Sequence, residues 1–214
     1  MDYESESVKN FLQPIEVGSK SDIEIAIETY YHVRDSITYD PYHIIFKKEF
    51  LKASSIVDRG YGYCVEKAVL LVACIRSFGI EARLGFANVR NHLNSKRLSD
   101  LMQSDVFVFH GYAEIFLEGK WVKCTPAFNK KLCEKAGIFP LEFNGKENSL
   151  FHPFSKKGDK HMEYLYDYGT FPELPYDYMM DEYAKYYPHL NVRENGTFGE
   201  QAKLKNIHFH NEIV

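Results

Sequence analysis

The sequence predicts an α+β fold, helices packed on an antiparallel sheet, and three observations carry that prediction. An amphipathic pattern opens at Ser21, with Ile23, Ala26, Ile27, Tyr30, Val33 and Ile37 at helical spacing. A stretch that is apolar on most sides, Val65 to Ile75, closes at Gly79 and reads as a buried central helix. Two strand-like runs, 106–117 and 120–125, meet at Glu118-Gly119, a hairpin turn. Helices on either side of a loop, followed by antiparallel strands, make an α+β layout.

The elements follow in order. Residues 1–20 are polar and interrupted by Pro14 and Gly18, so they are expected to form a loose arm. Ser21 with Glu24 fits a capping box, which starts a helix running to about Asp40. A shorter helix is expected near 48–57, broken by the glycine-containing loop Asp58 to Tyr63. The central helix comes next, then a strand over 80–89 and the hairpin strands. A short helix is expected near 130–136, and irregular structure beyond it to Pro188.

The expected organisation is an arm (1–20), one domain (21–190, with a core over 21–130 and an irregular extension over 131–190) and a polar tail (191–214). A single domain suits 214 residues with 45% hydrophobic content. The extension is rich in tyrosine, at 164, 166, 168, 176, 178, 183, 186 and 187. These rings either line a binding groove or cover the core beneath a C-terminal wrap.

The formal charge of −4 is small, and Lys and Arg are spread along the chain instead of clustered, which argues against a nucleic-acid partner. The first residues are acidic where an export signal would be basic, and no apolar run approaches the roughly 18 residues of a spanning helix. A cytoplasmic protein without a membrane partner is expected. The cysteines, Cys64, Cys74, Cys124 and Cys133, show no C-x-x-C spacing, and the histidines no metal-ligand spacing, so neither metal nor cofactor is expected.

Cys64 follows a glycine-containing loop and opens the central helix, where backbone N–H groups and the helix dipole favour a thiolate. The same N–H groups suit an oxyanion. His110 lies on a strand, sharing a face with Tyr112 and Glu114, and is the base candidate. Cys124 is expected to point to the other strand face as buried filler, and Cys74 and Cys133 to be structural. Tyr63, Asn88 and Arg90 are the substrate-binding candidates, Arg90 because guanidinium pairs bidentately with carboxylate. His92 is an alternative base.

These residues fall in a pattern that resembles the transglutaminase-like superfamily over roughly residues 21–130. The resemblance rests on Gly62-Tyr63-Cys64-Val65-Glu66-Lys67-Ala68, Arg76-Ser77-Phe78-Gly79-Ile80-Glu81-Ala82-Arg83, His110-Gly111-Tyr112-Ala113-Glu114 and Gly119-Lys120-Trp121-Val122. It implies a papain-like cysteine fold and a Cys-His-Asp triad used for acyl transfer or hydrolysis. The family usually places its aspartate just before a proline after the Trp strand; here Thr125 precedes Pro126. Thr125 itself, Asn129 or a backbone carbonyl is left to orient the imidazole.

Cys64 is thus expected to form a thioester from a peptide, protein or small amide substrate, with hydrolysis favoured over transfer. The alternative is a catalytically impaired binding module that keeps the fold. Oligomeric state is not encoded in any feature of the sequence.

Overall fold

A computed structural model describes residues 1–93, 95–151 and 155–197. Its centre is a helix over Cys64–Ser77 (α4), in which every residue from Cys64 to Ile75 is buried. Ahead of it lie helices α1 (Glu6–Leu12), α2 (Asp22–Ser36) and α3 (Ala53–Arg59), and a parallel pair of two-residue strands, β1 (Thr38–Tyr39) and β2 (Tyr61–Gly62). After it come β3 (Ala82–Asn91), α5 (Lys96–Met102), β4 (Val106–Leu117), β5 (Lys120–Cys124), α6 (Lys130–Ala136), β6 (Met162–Phe171) and α7 (Tyr176–Tyr186), then a 3-10 turn and α8 (Val192–Asn195).

The main sheet has the order β5-β4-β3-β6 and is antiparallel throughout. Helix α4 packs on β3 and β4, with α2 and α3 also against it, so its all-round hydrophobicity is matched by all-round burial. The chain leaves α4 at Gly79, whose φ of +78° is the left-handed conformation a helix-ending glycine adopts. The Glu118-Gly119 turn has positive φ at both residues, 50° and 82°, the twist that lets β4 and β5 pair directly.

The Ser21–Glu24 capping box is present, but α2 stops at Ser36. Its last carbonyls are claimed by side chains: Lys67 Nζ donates to Arg34 O at 2.8 Å and Ile37 O at 2.5 Å, and Asn129 Nδ2 donates to the same two oxygens. These buried donors satisfy carbonyls that no further helical turn would reach.

Several expectations are corrected. The opening arm contains α1, capped by the Ser5 hydroxyl and anchored by buried Val8 and Leu12. The second helix begins at Ala53, later than expected, and α5 stands in what reads as a loop. The irregular extension contains β6 and α7. Strand β6 lies at the sheet edge with residues 163–167 all exposed, so it lacks the alternation that betrays a half-buried strand. Of the polar tail, Val192–Asn195 is helical and Thr197 bridges to Ile45; positions 198–214 lie outside the described residues.

Candidate active site

The short β1–β2 pairing sets Tyr39 beside Gly62 and delivers the chain into α4 at Tyr63, the N-cap residue. The Tyr63 amide donates to Glu66 Oε2 at 3.1 Å, and Glu66 Oε1 meets Arg59 Nη2 at 2.6 Å. Burial raises Glu66 to about 7, against the pull of the Arg59 cation and the Tyr63 amide. The first turn of α4 is thus fixed by a buried carboxyl, and Cys64 sits at its start.

Cys64 opens α4, and the nearby backbone N–H groups of Gly111, Val65 and Cys64 itself favour the thiolate. Burial outweighs them and pushes the thiol up to about 12. Gly111 is placed by close approach: a Cβ there would stand 2.8 Å from Val65 Cα and 3.2 Å from Cys64 O. Only a residue without a side chain lets β4 lie this near to the start of α4.

His110, one residue earlier, is buried, with its ring centroid 4.9 Å from that of Phe151. Its Nε2 has no hydrogen-bond partner, and burial lowers the imidazole to about 3. No hydrogen bond joins His110 to Cys64 among the described residues. The two instead line adjoining small cavities, of about 20 and 30 Å³, that share Tyr39, Leu98 and Phe107 as walls. Burial opposes charge on both groups.

The backbone just before His110 is strained. Phe109 has φ of +59°, unusual for an aromatic residue, and the β3–β4 register shifts between Ala87 and Val89. Asn88, expected to touch substrate, is buried and accepts the Phe109 amide at 3.1 Å with its Oδ1. It holds the irregular stretch just before His110.

The other expected site residues are placed as follows. Thr125 is buried with its Oγ1 unpartnered, while its amide donates to Ser149 O and its carbonyl accepts from Tyr30. Asn129 is fully engaged elsewhere: besides its two bonds to α2, its Oδ1 accepts the Tyr39 amide at 2.7 Å, so it does not orient His110. Tyr63 is buried, with its hydroxyl 3.9 Å from Met179 Sδ, and walls the Cys64 cavity. Arg90 pairs with Asp105 at 3.0 Å and Glu163 at 3.4 Å. His92 approaches the same Glu163. Glu114 is tied to Arg83 at 2.7 Å.

Sequence reasoning missed Gly111, Leu98 and the specific role of Tyr183 and Tyr187, which line the Cys64 cavity from α7 and its end. A glycine inside a strand, directly after a candidate base, was the available signal for the first. Among the described residues, no group of three or more His, Cys, Asp or Glu side chains could hold a metal ion, and no helix is long and apolar enough to cross a membrane.

A family model for the transglutaminase-like superfamily matches residues 9–126, more than half of the chain, and spans both Cys64 and His110. The chain belongs to the transglutaminase-like superfamily. The superfamily includes enzymes and is often cysteine-dependent. The mixed α+β architecture, with its central helix on an antiparallel sheet, is consistent with a transglutaminase-like fold. The match begins within α1 and ends at Pro126, so α6, β6 and α7 lie beyond the transglutaminase-like segment. No curated protein matches the chain.

Proposed function

We propose that this protein is a cysteine-dependent enzyme of acyl transfer, acting on an amide or peptide bond through a thioester on Cys64 and releasing the acyl group by hydrolysis. The observation that carries the proposal is a cysteine at the start of a buried helix, with the Gly111 backbone brought close against Cys64 and Val65. Donors that favour a thiolate at that point also suit the oxyanion of a tetrahedral intermediate.

In the proposed cycle the Cys64 thiol proton passes to His110 and the sulfur bonds to the amide carbon. His110 returns the proton to the leaving amine as the C–N bond breaks. Water, deprotonated by His110, then attacks the thioester and releases the acid and the thiol. Peptide, protein or small-amide substrates fit this scheme equally. Four cysteines without a disulfide suit a reducing compartment, and a cytoplasmic location is part of the same proposal.

A second reading, a binding module on the same fold, draws on Thr125 at the acid position and on a His110 Nε2 with no partner. The pH dependence of iodoacetamide labelling at Cys64, in wild type and His110→Ala, separates the two. Labelling well below the ordinary thiol range of about 8.5 that is lost in His110→Ala supports the enzyme. Labelling no faster than at buried Cys133 and indifferent to the substitution supports the binding module. Adding a primary amine during turnover then separates hydrolysis from transfer.

A further inference from the structure

Glu66 lies two residues after Cys64 in α4, buried, and its carboxylate makes two connections. Oε2 accepts the amide of Tyr63, the residue just ahead of Cys64, at 3.1 Å, and Oε1 lies 2.6 Å from Arg59 Nη2. Arg59 is held in turn by two backbone carbonyls: its Nε donates to Tyr61 O at 2.9 Å and its Nη1 to Phe50 O at 2.6 Å. Gly62 leaves room for this arrangement, since a Cβ there would stand 3.1 Å from both Cβ and Oε2 of Glu66. A chain of contacts thus runs from α3 and β2, through a guanidinium and a carboxylate, to the amide beside the nucleophile. A buried ion pair adds little net stability over apolar side chains of the same shape, so its place beside Cys64 points to a role in reactivity.

The carboxylate acts on Cys64 in two opposed ways. It fixes the backbone from which the sulfur projects, and its negative charge disfavours the thiolate. The Arg59 cation offsets that charge. Asp40, itself paired with His43 at 2.7 Å, faces Glu66 from the segment after β1 and opposes its ionisation. The phenols of Tyr39, Tyr63, Tyr183 and Tyr187 line the Cys64 cavity, and burial raises all four, so they stay neutral. Tyr187 is committed besides, its hydroxyl accepting the Val108 amide at 2.8 Å and donating to Val106 O at 2.6 Å. Glu66 is thus the carboxylate whose charge reaches the sulfur.

We propose that Glu66 and Arg59 are positioning residues for the Cys64 nucleophile: the carboxylate fixes the backbone that presents the sulfur, and the guanidinium balances its charge so that it does not oppose the thiolate. The proposal rests on the enzymatic reading of Cys64 and names what sets its reactivity.

The test is the pH dependence of iodoacetamide labelling in the full chain, resolved by peptide mass spectrometry and expressed per folded molecule. Cys74, wholly buried in α4, reports global unfolding. Glu66→Gln keeps an oxygen for the Tyr63 amide and removes the charge. Burial raises Glu66 to about 7, so below pH 6 wild type and variant carry the same charge and label alike. Above pH 8 the variant is expected to label Cys64 about tenfold faster, a shift of about one pH unit. Arg59→Met leaves the carboxylate unbalanced and is expected to slow labelling at pH 9 by a similar factor, while Arg59→Lys, which keeps the cation, stays near wild type. A pair that only stabilises the fold gives a Glu66→Gln ratio that is the same at every pH, or an Arg59→Met no slower than Arg59→Lys, and either result overturns the proposal. Where one of the two positions does not tolerate substitution, the other decides by the same criterion. If the profiles move as expected but no amide is turned over, the positioning pair stands and the enzymatic reading fails. Turnover with profiles that ignore both substitutions is the reverse.

Discussion

The surroundings of Cys64 and of His110 are built by different means. Around the sulfur the polar groups are backbone amides, fixed by the start of α4 and by the passage of Gly111 across Val65. Around the imidazole there is aromatic packing, a strained Phe109 and a ring nitrogen without a partner. Backbone donors survive side-chain substitution, whereas a ring held by packing alone depends on every neighbour. The nucleophile side is thus preorganised by the fold, and the base side decides whether the pair operates.

The sharpest way to break this comparison is to remove the sulfur. Cys64→Ala is expected to lower amide turnover by at least about a thousandfold with the circular dichroism spectrum unchanged. Asn129→Ala should cost about 3 kcal/mol in urea unfolding, because three buried hydrogen bonds are lost. Cys64 labelling per folded molecule should hardly move, marking Asn129 as outside the chemistry. Gly111→Ala strikes the backbone donors themselves. Its Cβ would press on Val65, costing about 2 kcal/mol by overpacking and slowing Cys64 labelling as well.

A smaller effect probes the base side by pH. Between its ordinary value of 6.5 and about 3, the unfolded chain protonates His110 while the folded chain does not. Stability contributed by this group is therefore present above pH 6.5 and is lost as the pH falls below it. Glu66, raised to about 7, acts with the opposite sign: its contribution is present below pH 4.5 and is lost on rising to 7. The difference in urea stability between wild type and His110→Phe isolates the histidine. A difference that does not vary with pH over this window would refute a buried neutral imidazole. The smallest effect is expected at Arg90→Ala, below about 0.5 kcal/mol, since its ion pairs are partly exposed.

The elements legible from the chain are those whose signals are local. Ser21 and Glu24 three residues on, Gly79 after an apolar run, and Glu118-Gly119 between strands each require one conformation regardless of what packs nearby. The α1, α5, β6 and α7 segments are different. Buried Val8 and Leu12 in α1, or Leu98, Leu101 and Met102 in α5, offer too short a pattern for seven-residue helices to stand out. The tyrosines of 164–187 divide between both readings: Tyr183 and Tyr187 are buried against the Cys64 cavity, whereas Tyr166, Tyr178 and Tyr186 are exposed. At the site, helix-start chemistry pointed to Cys64, and its backbone donors could be anticipated. Asn88 could not be assigned, because its role follows from a register shift that leaves no mark in residue types.

The Tyr187 hydroxyl has one more consequence. By answering Val108 N–H and Val106 O together, a single side chain occupies the margin of β4 where β5 does not reach. An exposed strand margin is a template on which another chain can extend a sheet. Here the phenol closes that template next to the catalytic candidates. Tyr187→Phe therefore leaves two backbone groups beneath the ring without their partner, and a loss of about 1–3 kcal/mol in urea stability is its expected signature.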